Sequence, residues 1–198
     1  MTVILTLTEN DITYVGYDSR WLGGFEITKA THNKLHTLFE LGYNDNFVIG
    51  TAGKLRLSQI IYNGDFTDPP KNTNFDDKLE YLYKVFIPEL KLLLGANDEV
   101  TKDNNFDGDV IIIWGNKVFQ IYCDYSLISP TLPYFGIGYY EIGYGVLSAL
   151  NEHTDLKPEE KLLYALSETS KHFASCSPPY IIYRSDRGKV IGSNETDA

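Results

Sequence analysis

Cysteine and positive charge are both scarce in this sequence. The 198 residues include only two cysteines, Cys123 and Cys176, and neither has the CxxC spacing of a redox or zinc site, so we expect two small buried side chains. Lys and Arg number 17 against 27 Asp and Glu, which gives a formal net charge of −10. Because phosphate-backbone binding depends on clustered basic side chains, nucleic acid is not an expected partner.

Long apolar runs and a targeting segment are also missing. No run approaches the roughly 18 apolar residues that are needed to cross a bilayer. The N-terminus has no basic region followed by an apolar core and a small-residue cleavage site. We therefore expect a soluble, cytoplasmic protein without a membrane partner.

Apolar residues make up 43% of the chain and aromatic residues 14%, enough for one sizeable core. We predict a single domain over 1–198 with a frayed polar tail at 193–198. The apolar periodicity predicts short strands that alternate with helices, and a connecting loop at 124–133. The predicted strands are 2–8, 12–17, 25–28, 47–50, 110–114, 118–122, 134–138, 180–184 and 189–191. The predicted helices are 55–62, 76–94 with a kink at Pro88, 144–151 and 158–174.

Thr2 is a candidate nucleophile. Methionine aminopeptidases usually remove Met1 when the next residue is small, and Thr2 would then carry a hydroxyl and a free α-amine on one residue. An α-amine has a reference pKa of about 7.7 to 8.0, so part of it is neutral near pH 7 and can accept the hydroxyl proton. The alternative interpretation is that Thr2 merely begins a β-strand.

Asp18 and Lys34 favour the catalytic interpretation. The polar turn Glu9-Asn10-Asp11 joins the first two predicted strands, and a hairpin of this kind brings Asp18 beside Thr2. A Lys34 ammonium close to the Thr2 hydroxyl would favour the alkoxide, and the Asp18 carboxylate would hold that ammonium in place.

Gly53 is a candidate for stabilising an oxyanion. It lies between a predicted strand and a predicted helix, where a glycine lets the backbone approach a ligand and leaves N–H groups that can point at an anion. The alternative is an ordinary turn and helix cap.

Thr2, the run Asp18-Ser19-Arg20 and Lys34 together resemble the proteasome β-type peptidases, which include the bacterial HslV-like and phage-encoded members. Asp18 lies 16 residues and Lys34 32 residues after Thr2, and these are the spacings found in that family. The resemblance extends from Thr2 to about Tyr183.

The resemblance implies an α+β fold, the four-layer αββα sandwich of Ntn hydrolases, in which two antiparallel sheets lie between helical layers. It implies a threonine-type endopeptidase in which Gly53 contributes to the oxyanion hole. It also implies self-association into rings of six or seven, unfolded polypeptide as substrate, and a separate ATPase unfoldase as partner.

Three positions depart from the family pattern. Tyr139 stands where the family has a serine, although this alignment needs a one-residue gap, and Phe173 and Cys176 stand where the family has Asp and Ser. In the family these groups hydrogen-bond to the threonine amine and help to set its protonation. The alternative function is therefore a structural or regulatory ring subunit whose activity has decayed.

Other motifs in the sequence do not predict a metal or cofactor site. Residues 103–108 match the first half of a calcium loop, but position twelve, which should be a bidentate Glu, is Trp114. Gly136-Ile137-Gly138 lacks the third glycine of a dinucleotide fingerprint. The four histidines form no convincing ligand set, so we expect neither cofactor nor metal.

Overall fold

The computed structural model describes residues 2–18, 20–23, 26–29, 35–37, 47–71, 73–174, 176–186 and 190–193. Its strands are β1 Val3–Glu9, β2 Ile12–Asp18, β3 Arg20–Gly23, β4 Glu26–Lys29, β5 Leu35–Thr37, β6 Phe47–Gly53, β7 Gly108–Trp114, β8 Lys117–Ile121, β9 Leu127–Ile128, β10 Tyr134–Gly138, β11 Tyr180–Arg184 and β12 Val190–Ser193. Its helices are α1 Leu55–Asn63, α2 Phe75–Tyr81, α3 Ile87–Ala96, α4 Glu141–His153 and α5 Pro158–His172, with a π-helical segment, Leu82–Phe86, between α2 and α3.

Two five-stranded sheets form the centre of the fold. The first has the order β10-β1-β2-β11-β12 and the second the order β5-β6-β7-β8-β9, while β3 and β4 pair separately. Neighbouring strands within both large sheets are antiparallel. The strands therefore connect mainly through hairpins, as the sequence predicted.

The apolar side chains divide into three layers of packing. Leu5 and Leu7 of β1 pack with helices α4 and α5 on one outer face. Phe47 and Ile49 of β6 pack with α1 to α3 on the other outer face. The inner faces of the two sheets meet through a third cluster, which includes Ile4, Val15, Ile111 and Ile113. This arrangement is the αββα sandwich that the sequence predicted.

The hairpin of β1 and β2 fixes the position of the predicted site. Asn10 and Asp11 both have positive φ, 52° and 60°, which matches the two-residue turn that follows the natural twist of paired strands. The register pairs Ile4 with Tyr17, so the next residues outward, Val3 and Asp18, lie at the same end of the hairpin.

Several predicted boundaries were wrong. The strand expected to stop at Gly50 continues to Gly53, because glycines on β6 and β7 pair with each other. The helix expected over 144–151 begins at Glu141, and a short strand, β9, lies in the expected loop 124–133.

The helix expected over 76–94 consists of α2, the π-helical segment and α3 in direct succession, and the π-helical segment ends two residues before Pro88, where a kink was predicted. Its start is set by a capping box between Asn74 and Asp77. Residues 194–198 of the predicted tail lie outside the described part of the chain. Within that part, no helix has the length and apolar character of a membrane span.

Candidate active site

Thr2 immediately precedes β1 and is almost completely buried, with 3% of its surface exposed. Its hydroxyl oxygen has no hydrogen-bond partner among the described residues. A buried hydroxyl without a partner costs roughly 1–3 kcal/mol, so such groups are rare unless a function requires them. Thr2 shares this state with five other described side chains, those of Thr73, Trp114, Tyr125, Ser177 and Tyr183.

Asp18, the last residue of β2, is fully buried at the same end of the hairpin. Its Oδ1 accepts a hydrogen bond of 3.1 Å from the backbone N–H of Val3, the residue that follows Thr2. The predicted proximity of Asp18 to Thr2 is thus present in the structure. The contact anchors the start of β1, because a charge-assisted hydrogen bond is stronger than one between neutral groups.

The third predicted residue, Lys34, lies outside the residues that the structure describes. Its predicted contact with Asp18 and with the Thr2 hydroxyl therefore remains an expectation.

Gly53 lies where the sequence placed it, between a strand and a helix. It ends β6 opposite Gly108 of β7, and both glycines have positive φ, 124° and 149°. A Cβ at Gly53 would lie 2.7 Å from the Gly108 Cα, so neither strand can carry a side chain at this point. Helix α1 follows at once, and Lys54 at its N-cap makes no side-chain hydrogen bond to the first turn.

The end of β10 holds the backbone of Thr2. Tyr139 donates its N–H to the Thr2 carbonyl at 3.1 Å. Gly138 has a φ of 76°, and a Cβ at this position would overlap the same carbonyl oxygen. Thr2 is therefore fixed from β2 through Asp18 and from β10 through Gly138 and Tyr139.

A cavity of about 240 Å³ opens beside Thr2. Its walls come from the ends of β6, β7 and β10 and from the first turn of α4. The lining residues are Thr2, Ala52, Gly53, Gly108, Asp109, Gly138, Tyr139 and Glu141. Thr2 and Gly53, predicted as nucleophile and oxyanion-hole residue, thus share one cavity.

Two carboxylates of this cavity, Asp109 and Glu141, were not predicted from the sequence. Asp109 is half-buried, accepts a 3.3 Å hydrogen bond from the side chain of Gln120, and is hydrogen-bonded to the Gly138 backbone. Burial raises the pKa of Asp109, and these two hydrogen bonds oppose that rise. The alternation of β7 was the available signal, because Asp109 shares the strand face of Ile111 and Ile113, which lies between the sheets.

The positions that depart from the family pattern are occupied by packed side chains. The rings of Tyr139 and Phe173 stack with centroids 4.7 Å apart and an angle of 15° between their planes. Cys176 is buried, as predicted, and its Sγ lies 3.9 Å from the Leu166 carbonyl oxygen. Cys123, in contrast, is exposed. No cluster of three or more His, Cys, Asp or Glu side chains suited to a metal ion is found among the described residues.

Comparison with solved structures finds the same fold in several proteins. BPH from Thiobacillus denitrificans, solved in complex with epoxomicin, has a TM-score of 0.73 at 11% identity over 92% of this chain and 97% of that chain. HslV from Trypanosoma brucei has a TM-score of 0.64 at 15% identity over 92% and 98% of the two chains. Anbu (ancestral beta-subunit) from Yersinia bercovieri has a TM-score of 0.71 at 17% identity over 98% and 88%.

No protein-family model matches the sequence, and no curated protein matches it. At identities of 11% to 17%, the structural similarities establish the fold. Thr2, Asp18 and Lys34 indicated a resemblance to the HslV-like and proteasome β-type proteins. The structural comparison confirms that resemblance for the fold.

Proposed function

We propose that this chain is a threonine-type endopeptidase of the HslV-like and proteasome β-type family, and that Thr2 becomes its nucleophile once Met1 is removed. The observation that carries the proposal is that Thr2, whose buried hydroxyl has no hydrogen-bond partner among the described residues, lines one cavity together with Gly53. The fold shared with HslV and Anbu supports the same conclusion.

The proposed reaction begins when the Thr2 Oγ attacks the carbonyl carbon of a peptide bond. The hydroxyl proton passes to the α-amine of Thr2, and the carbonyl oxygen becomes an oxyanion. Collapse of this intermediate breaks the C–N bond, and the leaving amine takes the proton. Water then hydrolyses the ester on Thr2, which releases the second product and restores the hydroxyl.

The other predicted residues support these steps. Asp18 anchors the start of β1 through the Val3 N–H and is proposed to hold the Lys34 ammonium in place. Lys34 is proposed to stabilise the alkoxide by its positive charge. The Gly53 N–H is proposed to stabilise the oxyanion, because Gly53 lines the same cavity as Thr2.

A second candidate function is a ring subunit with decayed activity. The stacked rings of Tyr139 and Phe173 favour it, since they occupy two positions where the family has polar groups that hydrogen-bond to the threonine amine. The Phe173 ring has no titratable group, so it cannot replace the carboxylate that the family has at this position.

Assembly and partners follow from the same proposal. We propose that 1–198 forms one domain, that copies self-associate, and that the substrate is unfolded polypeptide delivered by an ATPase unfoldase in the cytoplasm. The solved neighbours include a helical assembly of the Anbu complex from Pseudomonas aeruginosa, which supports self-association in this chain as well.

Covalent labelling of Thr2 tests the proposal. A peptide boronate or β-lactone is an electrophile that captures an activated hydroxyl, so labelling reports the nucleophile even when turnover is slow. We expect intact-mass analysis of the purified chain to show loss of Met1 and one adduct per chain, located at Thr2. Thr2→Ala should abolish the adduct, whereas Thr8→Ala, at the far end of the same strand, should leave it unchanged.

Two further variants separate the two candidate functions. Lys34→Ala should reduce labelling by roughly 10²-fold or more, the scale of a lost catalytic helper group, whereas Lys171→Ala, an exposed lysine on α5 paired with Glu168, should not. The Phe173→Ala variant should still form the adduct at Thr2, because the ring that it removes has no titratable group and takes no part in proton transfer. A wild-type chain that begins at Thr2 and forms no adduct would refute the peptidase proposal in favour of the decayed subunit.

A further inference from the structure

We propose that Asp109 is the positioning residue that holds the α-amine of Thr2 in its proton-accepting orientation. The inference rests on the proposed function, since the amine exists only after Met1 is removed. It deepens that function by assigning a carboxylate to a chain in which aromatic rings stand at the positions of the family's polar groups.

The geometry places Asp109 and Thr2 in the same cavity. Odd-numbered residues of β7 face the space between the sheets, because Ile111 and Ile113 pack there together with Ile4 of β1. Asp109 lies two residues before Ile111 and so is on the same face of β7. Thr2 lies two residues before Ile4 and so is on the same face as Ile4. Both residues line the 240 Å³ cavity that closes this end of the interior.

Asp109 is held in a defined orientation. Gln120 on β8, which is 5% exposed, donates its side-chain amide to Asp109 Oδ1 at 3.3 Å. The backbone of Gly138, which packs against the Thr2 carbonyl, is also hydrogen-bonded to the carboxylate. A buried glutamine and a strand terminus thus hold this carboxylate at the cavity that Thr2 also lines.

Among the described residues, the other charged groups around this cavity make different contacts. Glu141 and Tyr139 line the same cavity from the start of α4. Lys54, next to Gly53, lies 3.3 Å from the Asp107 carboxylate and 4.0 Å from that of Glu99. Asp18 contacts the Val3 N–H from β2. Among the described lining residues, Asp109 is therefore the carboxylate with side-chain and backbone contacts that fix it in the interior.

The expected effect on chemistry has a definite sign. A carboxylate near an amine favours the protonated form and so raises the pKa of the amine, whereas burial without a carboxylate lowers it. Once neutral, a more basic amine is the stronger acceptor of the hydroxyl proton, but its neutral form is reached at higher pH. The resulting ammonium stays paired with the carboxylate while the acyl group is transferred. Loss of the charge at Asp109 should therefore lower the pKa of the Thr2 amine.

Competitive acetylation of the N-terminal amine measures this pKa directly. Wild type, Asp109→Asn and Glu141→Gln would be labelled with acetic anhydride across pH, and the N-terminal peptide quantified by mass. We expect Asp109→Asn to lower the pKa of the Thr2 amine by about one unit, a tenfold change in proton affinity. Glu141→Gln, at an exposed position, should lower it by much less because solvent screens that charge.

A second readout separates positioning from a structural role. The pH dependence of boronate labelling should shift to lower pH in Asp109→Asn, in parallel with the amine pKa, while the urea midpoint stays close to wild type because asparagine can still accept from Gln120. An unchanged amine pKa in Asp109→Asn, or a loss of labelling without a pH shift, would overturn the assignment. Failure of wild type to label, with the amine pKa lowered in Asp109→Asn, would instead refute the peptidase proposal alone.

Discussion

At the scale of single residues, position 138 next to Thr2 requires a glycine. Its φ of 76° is rare for residues that carry a side chain, and a Cβ would overlap the Thr2 carbonyl. We predict that Gly138→Ala displaces Thr2, abolishes boronate labelling and destabilises the fold by about 2–4 kcal/mol, the range for strain combined with overpacking. Urea unfolding and intact-mass labelling would measure the two effects.

Gly145 provides a matched control for this prediction. It lies within α4, and a Cβ there would meet nothing within 4 Å. Gly145→Ala should therefore be neutral or stabilise by roughly 0.5–1 kcal/mol, because alanine is the better helix former. Labelling of Gly138→Ala at the wild-type rate would show that the contact with Thr2 is not needed for the site.

The candidate site was predictable from sequence only where local chemistry determined it. The turn at Asn10 and Asp11 sets the hairpin register, and the register places Asp18 beside the start of β1. Asp109 was missed because an aspartate after a glycine is typical of a turn, and its burial depends on β8 and β10, which come from later in the chain. The Tyr139–Phe173 stack is likewise a long-range contact without a local signal.

At the scale of elements, helix α2 is fastened to the second sheet by a buried lysine. Lys78 donates to the Trp114 carbonyl at 3.1 Å and lies 5.4 Å from the centre of the Trp114 indole ring. We predict that Lys78→Met destabilises the protein by about 1–3 kcal/mol, because it removes a charged hydrogen bond and a cation–π contact. Chemical denaturation monitored by Trp fluorescence would measure the change.

Lys84 is the control on the neighbouring π-helical segment. It pairs with Glu80 at 2.6 Å, but both side chains are mostly exposed. Such a surface pair contributes well under 1 kcal/mol, so Lys84→Met should change stability by less than about 0.5 kcal/mol. If the two substitutions change the free energy of unfolding equally, the buried contacts of Lys78 stabilise the protein no more than the exposed pair of Lys84 does.

Element boundaries were less predictable than element types. Glycine normally ends a strand, so the sequence indicated a stop at Gly50. The structure continues β6 to Gly53 because Gly108 lies opposite and the two backbones can approach closely. Helix α4 starts before Gly143, since this glycine lets the helix approach Leu5 of β1 and Thr169 of α5. Both boundaries depend on a partner element, which a local pattern does not contain.

At the scale of the whole molecule, the order of strand pairs and helices along the chain was enough to predict the sandwich. Each sheet has an apolar outer face that only a helical layer can cover, and the sequence supplies one helical group after β6 and another after β10. The whole chain carries a formal net charge of −10, so copies of it repel one another. Apolar contacts between copies would offset that repulsion.

The outer layer formed by α1 and α3 offers such contacts. Leu92 on α3 is 74% exposed and Tyr62 on α1 is 56% exposed. We predict that the chain is oligomeric across micromolar concentrations in light scattering, and that the double variant Tyr62→Lys with Leu92→Lys shifts it to smaller species. A buried lysine in an interface carries a large desolvation cost, whereas the same change at a surface site hardly affects folding.

Tyr164 on α5, exposed by 53% on the opposite helical layer, supplies the control. Tyr164→Lys should leave the assembly intact, and thermal unfolding of both variants should match wild type at equal oligomer size. If Tyr164→Lys dissociates the assembly and the double variant does not, the interface lies on the α4–α5 layer. A wild-type monomer at every concentration would contradict assembly altogether and, with it, the proposal that Thr2 acts inside a self-compartmentalising protease.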